Sequence, residues 1–232
     1  TATAQVEYIP KNISHLYICS EGAEVSIDWL QFKNPESYFA PATETPVKPD
    51  AEGFVRRWTL LEPIDKPNPT NTVFTDSYLR EHFYMEYFPE QFSIIPRNGQ
   101  RVKVGDQRLT WHTMDSERYN IKLFRFADAL NKRLYGVLFW GVTIIDCPEE
   151  ITDVRLSVGS NSASMWWLNG EEVLLLSGDR RMVRDDAVSN RLTLKKGHNI
   201  IRGTVINGPG MSDFCLRFID KDGQPITHFT IK

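Results

Sequence analysis

From residue 134 onward the chain is written in short apolar stretches punctuated by tight-turn dipeptides. Val154, Leu156 and Val158 alternate with polar residues, as do Leu192 and Leu194, and Leu216 and Phe218. Successive side chains of a strand point to opposite faces, so a period of two marks half-buried strands. Asn169-Gly170 lies between Ser164–Leu168 and Val173–Leu176. It is the dipeptide a two-residue type I′ hairpin favours, because both of its positions need positive φ. Lys196-Gly197 and Asp222-Gly223 mark further turns, and Leu134–Ile145 is a long apolar run suited to a central strand. Strands recurring about every ten residues with hardly any helical periodicity predict an all-β fold, an antiparallel β-sandwich.

The first half obeys a different rule. Of 13 prolines, only Pro148, Pro209 and Pro225 lie beyond residue 97. Proline cannot donate to a ladder and restricts the residue before it, so 33–53 and 62–72 read as loops flanking a strand over Phe54–Leu61. His15–Cys19 and Val25–Leu30 read as a hairpin. Asp76–Tyr87 carries a cap residue and apolar groups at 79, 83 and 87, which predicts one short helix over 76–87, while Ala127–Asn131 adds at most a turn. The domain division expected is 1–53, N-terminal strands and a proline-rich loop packed on the main body, and 54–232, the sandwich. A chain of 232 residues can bury its core without covalent staples.

Several chemistries lack their residues. Lys plus Arg number 27 against 30 Asp plus Glu, a net charge of −3, so no global field is available to hold nucleic acid. The best apolar run, Tyr135–Ile145, holds two glycines and falls short of the roughly 20 residues a membrane helix needs. Cys19, Cys147 and Cys215 lack C-x-x-C spacing and sit beside apolar neighbours, as buried thiols do. The five histidines have no metal-ligand spacing, so no metal or cofactor is expected. There is no G-x-S-x-G elbow, and the acidic pairs Glu149-Glu150, Glu171-Glu172 and Asp185-Asp186 are adjacent residues that a strand would point apart. Ala2-x-Ala4 has the small-residue spacing left by a removed signal peptide, which predicts a secreted, periplasmic or cell-surface protein; such triplets also arise by chance.

An ordered series of short motifs runs through the second half: Ser157-Val158-Gly159-Ser160-Asn161, Trp166-Trp167-Leu168-Asn169-Gly170, Arg180 to Asp186, Leu194-Lys195-Lys196-Gly197-His198-Asn199, Asn207-Gly208 and Asp220-Lys221-Asp222-Gly223. The series resembles the galactose-binding-like jelly-roll modules attached to secreted bacterial enzymes. More closely, residues 5–232 resemble the region preceding the catalytic domain of Bacteroidetes acetylxylan and feruloyl esterases. The resemblance implies a non-catalytic carbohydrate-binding module of a plant-polysaccharide esterase, with xylan as the partner. The alternative is a structural module that packs on an attached catalytic domain and binds no sugar. Where such modules often carry two aspartates after Gly-Ser, this chain has Asn161-Ser162, neutral oxygens poorly suited to calcium.

A sugar ring offers an apolar C–H face and a rim of hydroxyls, so a binding surface combines flat aromatics with amide, carboxylate or guanidinium partners. Trp111, Tyr119, Trp167, Arg181 and Asp186 have the right types. In the family's register Trp166 falls on the apolar face of its strand and Trp167 on the alternate face, where it would be free to stack. Each of these tryptophans would serve equally well as core, and Arg180-Arg181 with Asp185-Asp186 equally well as a surface ion-pair cluster.

Overall fold

The computed structural model describes Gly22 and residues 38–232. The hairpin expected over 15–30, Cys19 and Ala2-x-Ala4 lie outside the described residues. From residue 38 onward everything belongs to one compact unit. Its elements, in order, are β1 (Phe39–Pro41), β2 (Arg57–Leu61), β3 (Ile64–Asp65), α1 (Asp76–Phe83), β4 (Arg101–Val104), β5 (Gln107–Ser116), α2 (Leu123–Ala129), β6 (Val137–Cys147) and β7 (Ile151–Asn161). There follow β8 (Ala163–Leu168), β9 (Glu171–Leu176), β10 (Ala187–Val188), β11 (Leu192–Leu194), β12 (Gly197–Asn207), β13 (Asp213–Ile219) and β14 (Thr230–Ile231). All strand pairs are antiparallel, in two sheets. The larger runs β1-β5-β2-β6-β12-β8-β9, with β3 and β14 also on β6 and β4 on β5. The smaller centres on β7, flanked by β10, β11 and β13.

The period of two is realised strand by strand. On β7 and β13, Val154, Leu156, Val158, Phe214, Leu216 and Phe218 point inward against Trp58, Phe139, Ile145, Trp166, Ile201 and Val205 of the larger sheet. This is the sandwich core, and Trp58, Trp166 and Phe214 meet edge-on in it at 4.9–5.9 Å. Gly203 on β12 makes room for it: a Cβ there would lie 2.2 Å from the Trp166 ring. Asn169 and Gly170 both have positive φ, 52° and 92°, as the type I′ hairpin requires.

A second core occupies the opposite face of the larger sheet. The alternate residues Leu138, Trp140 and Val142 of β6, Ala163, Met165 and Trp167 of β8, and Trp111 of β5 pack under Phe74, Leu79, Phe83 and Phe88. The covering segment is irregular between α1 and β4. Arg202 on β12, only 3% exposed, reaches up to it, donating Nε to the Phe92 carbonyl at 2.8 Å and Nη1 to the Ile94 carbonyl. Burial lowers the Arg202 pKa to about 10.

The elements depart from expectation in four places. Phe54–Leu61 is not one strand. Phe54 bridges Arg217 of the smaller sheet and Val55 N–H bonds the Leu216 carbonyl, so the chain crosses between layers before joining the larger sheet as β2. The helix expected to reach Tyr87 ends at Phe83, because the Gln91 side chain takes over groups an extra turn would have paired. It accepts from Tyr87 N–H at 2.9 Å and donates to the Met85 carbonyl at 3.0 Å. A second helix, α2, stands where only a turn was expected, burying Leu123, Phe126 and Ala127. The proline-rich stretch contributes β1, paired to β5, and Val47 bridges Ile231.

Candidate functional site

The five residues expected to bind ligand do not form one surface. Trp111 and Trp167 are core residues, 0% and 2% exposed, which corrects the expectation that the alternate face of β8 is free. Trp167 stacks on Trp140 at 5.5 Å and 16°, Phe92 meets both edge-on, and Phe88 packs between Trp111 and Trp140. The physical reason is the covering segment. A two-sheet sandwich leaves its outer faces to solvent, but here the segment between β3 and β4, helix α1 and the irregular chain after it, closes over one of them. Neither indole can offer a face to a sugar.

Tyr119, Arg181 and Asp186 lie elsewhere, over the outer face of the smaller sheet, where the loop following β9 folds back on β7. Gly159 permits that approach: a Cβ there would come 1.9 Å from the Val183 carbonyl oxygen. Tyr119 is half-buried with the Arg184 guanidinium 4.0 Å from its ring centroid. Asp186 accepts from Arg180 at 2.5 and 2.9 Å. Asp185 accepts from Ser157 and, through both oxygens, from Arg217. Burial opposes ionisation of Asp185, but those hydrogen bonds prevail and hold its carboxyl below the usual 3.8. Arg181 alone of the three is exposed. The cluster satisfies itself and fastens a loop.

At the other end of the strands the chain builds an open groove of about 470 Å³ from Pro67, Asn68, Pro69, Arg133, Tyr135, Gly136, Gly208, Pro209 and Gly210. Three loops meet there because three asparagines and a tyrosine tie them. Asn207, fully buried, donates to the Leu134 and Gly210 carbonyls at 2.9 and 3.0 Å. Asn71 donates to Asp179 at 2.8 Å and to the Pro209 carbonyl at 3.1 Å. Tyr78 donates its hydroxyl to Asn68 Oδ1 at 2.5 Å, and Asn68 donates to the Lys66 carbonyl at 2.6 Å. Gly136, at φ 62°, passes so near the neighbouring loop that a Cβ would sit 3.2 Å from Pro67 Cα. The walls are thus held by hydrogen bonds that need no ligand.

On this rigid rim Tyr135 stands 54% exposed. Beside it Arg133 has a side chain 56% exposed, and its nearest acid, Asp65, is 3.7 Å away. An apolar ring face, a guanidinium and backbone carbonyls around a concave surface are the groups a sugar ring engages. Sequence reasoning missed the site by assigning the whole run from Leu134 to a core strand. The available signals were Gly136 interrupting that run and the Pro67-Asn68-Pro69 loop opposite. A larger depression of about 840 Å³, lined by Glu90, Ser93–Ile95 and Arg97–Gln100, holds no aromatic side chain.

Three of the described histidines have polar partners. His82 Nδ1 pairs with the Tyr78 carbonyl, His112 faces Glu62 at 3.5 Å, and His198 bonds Lys232 beside Asp146. Cys147 and Cys215 are buried free thiols, and burial pushes Cys215 up to about 12. No described helix is long and apolar enough to cross a membrane, and no metal-ligating cluster occurs among the described residues.

No protein-family model matches the chain, and no curated protein is significantly similar to it. Among solved structures, it is similar to the PA14 domain of MpAFP antifreeze protein (10% identity over 88% of this chain and 96% of that one, TM-score 0.41). It is similar to a PA14 sugar-binding domain from an RTX adhesin (10% identity, 75% and 96%, TM-score 0.39). It is also similar to part of a β-glucosidase from Kluyveromyces marxianus in complex with glucose (22% identity, TM-score 0.35), covering 53% of this chain but 16% of the glucosidase. At these scores the likeness establishes neither a common fold nor a common ligand.

Proposed function

We propose that this chain is a non-catalytic carbohydrate-binding module, and that the groove around Tyr135 is where a polysaccharide chain lies. One observation carries the reading: an aromatic ring more than half exposed, in a groove whose walls are fixed by Asn71, Asn207 and Tyr78. Aromatic surface held out of the core costs solvation, and a pre-formed groove lowers the ordering cost of binding. The ordered motif series of the second half supports a secreted module of a plant-cell-wall esterase and makes xylan the first ligand to test.

A second reading has its own observation. Tyr84, Met85 and Ile95 expose 47%, 46% and 51% of their surfaces on the segment covering the second core, large side chains of the kind that pack on an attached domain.

Affinity electrophoresis through soluble xylan separates the two. The chain should be retarded, and Tyr135→Ala should abolish retardation while melting like the parent. Free migration in xylan, mannan and β-glucan gels alike would remove the binding reading and leave the packing module.

A further inference from the structure

The charge of the groove points to a ligand class. Arg133 is the only charged residue among those lining it. It forms an ion pair with Asp65 at 3.7 Å, beyond hydrogen-bond distance, so the carboxylate offsets part of its charge but takes up none of its N–H donors, and both side chains are half exposed or more. The other acid nearby, Asp179, already accepts from Asn71. Arg57, Arg180 and Arg217, by contrast, each grip a carboxylate through two nitrogens. A planar guanidinium with free donors next to an exposed ring matches a pyranose bearing a carboxylate, which could stack on the ring and present two oxygens to the fork.

We infer that the Tyr135 groove selects acidic glycans, chains carrying uronic acid residues, and that Arg133 is the specificity-determining residue. This rests on the binding-module reading above.

The test is isothermal titration of the full chain with xylohexaose and with the same hexamer carrying one glucuronic acid branch. The acidic sugar should bind about tenfold more tightly at low salt, the scale of one charge-assisted contact, and the ratio should shrink as salt rises. Arg133→Gln should bring the ratio to about one. Arg191→Gln, which removes the same charge at the far end of the strands where Arg191 pairs with Asp153, should leave it near ten. Measurable but equal affinities for the two sugars would overturn the inference and spare the binding reading, as would a preference that survives Arg133→Gln. Absence of binding to either sugar would overturn both. Arg133 is exposed, so its variant should melt with the parent, which confirms that a lost preference is not a lost fold.

Discussion

An aromatic ring serves a ligand only through a face that solvent can reach, and burial separates the two tryptophans singled out in the sequence from Tyr135. Trp111 and Trp167 pack on every side, so truncation to Ala should cost about 3–5 kcal/mol of stability and change binding only through unfolding. A thermal melt checks this, against the little-changed melt expected for Tyr135→Ala. Asp185 offers a pH test. Its folded carboxyl lies below the usual 3.8, so the stability it contributes is fully present above that value and is lost as pH falls through the folded pKa. Asp185→Asn should therefore be less stable near neutrality yet lose less stability on acidification below about pH 4. Equal acid-side slopes in chemical denaturation would show that the Arg217 and Ser157 bonds do not govern the loop. At this scale the sequence was least informative. Tryptophans 166 and 167 have adjacent positions and opposite faces, and nothing in their neighbourhood revealed that a segment some 75 residues upstream covers the second face.

Among the elements, the strands read well because their signal is local: alternation in β7, the Asn169-Gly170 turn between β8 and β9, and the long, mostly apolar run of β6 with both faces buried. What failed was set by contacts distant in sequence or by side-chain competition. The end of α1 depends on Gln91, and the layer crossing at Phe54 depends on a bridge to Arg217. The helix α2 is the exception, since Leu123, Phe126, Ala127 and Leu130 have helical spacing that was there to be read. Residues 84–100 have little regular structure and are fastened through Arg202. Replacing it by Met leaves two carbonyls without their donor, so Arg202→Met should destabilise the fold by about 1–3 kcal/mol. Limited proteolysis of the variant should cut first within 84–100, and cleavage no faster than in the parent would show that the apolar contacts suffice without the guanidinium.

Residues 38–232 form a sandwich with a second core on one outer face, and their end loops hold an exposed ring and guanidinium around a groove. The class and most of the strand positions beyond residue 134 were legible from periodicity and turns; the site was not, because a groove is made by three loops meeting, and only the folded sheet brings Pro67, Tyr135 and Pro209 together. The central claim is that ligand enters there. Titrating the isotopically labelled chain with xylohexaose and following backbone amide shifts tests it most directly. The account predicts progressive, saturable shifts at residues 66, 68, 133–136, 208 and 210, with the amides around Trp111 and Trp167 unmoved. Shifts confined to 84–100 or to the loop carrying Arg181, with the Tyr135 groove silent at saturating sugar, would contradict it.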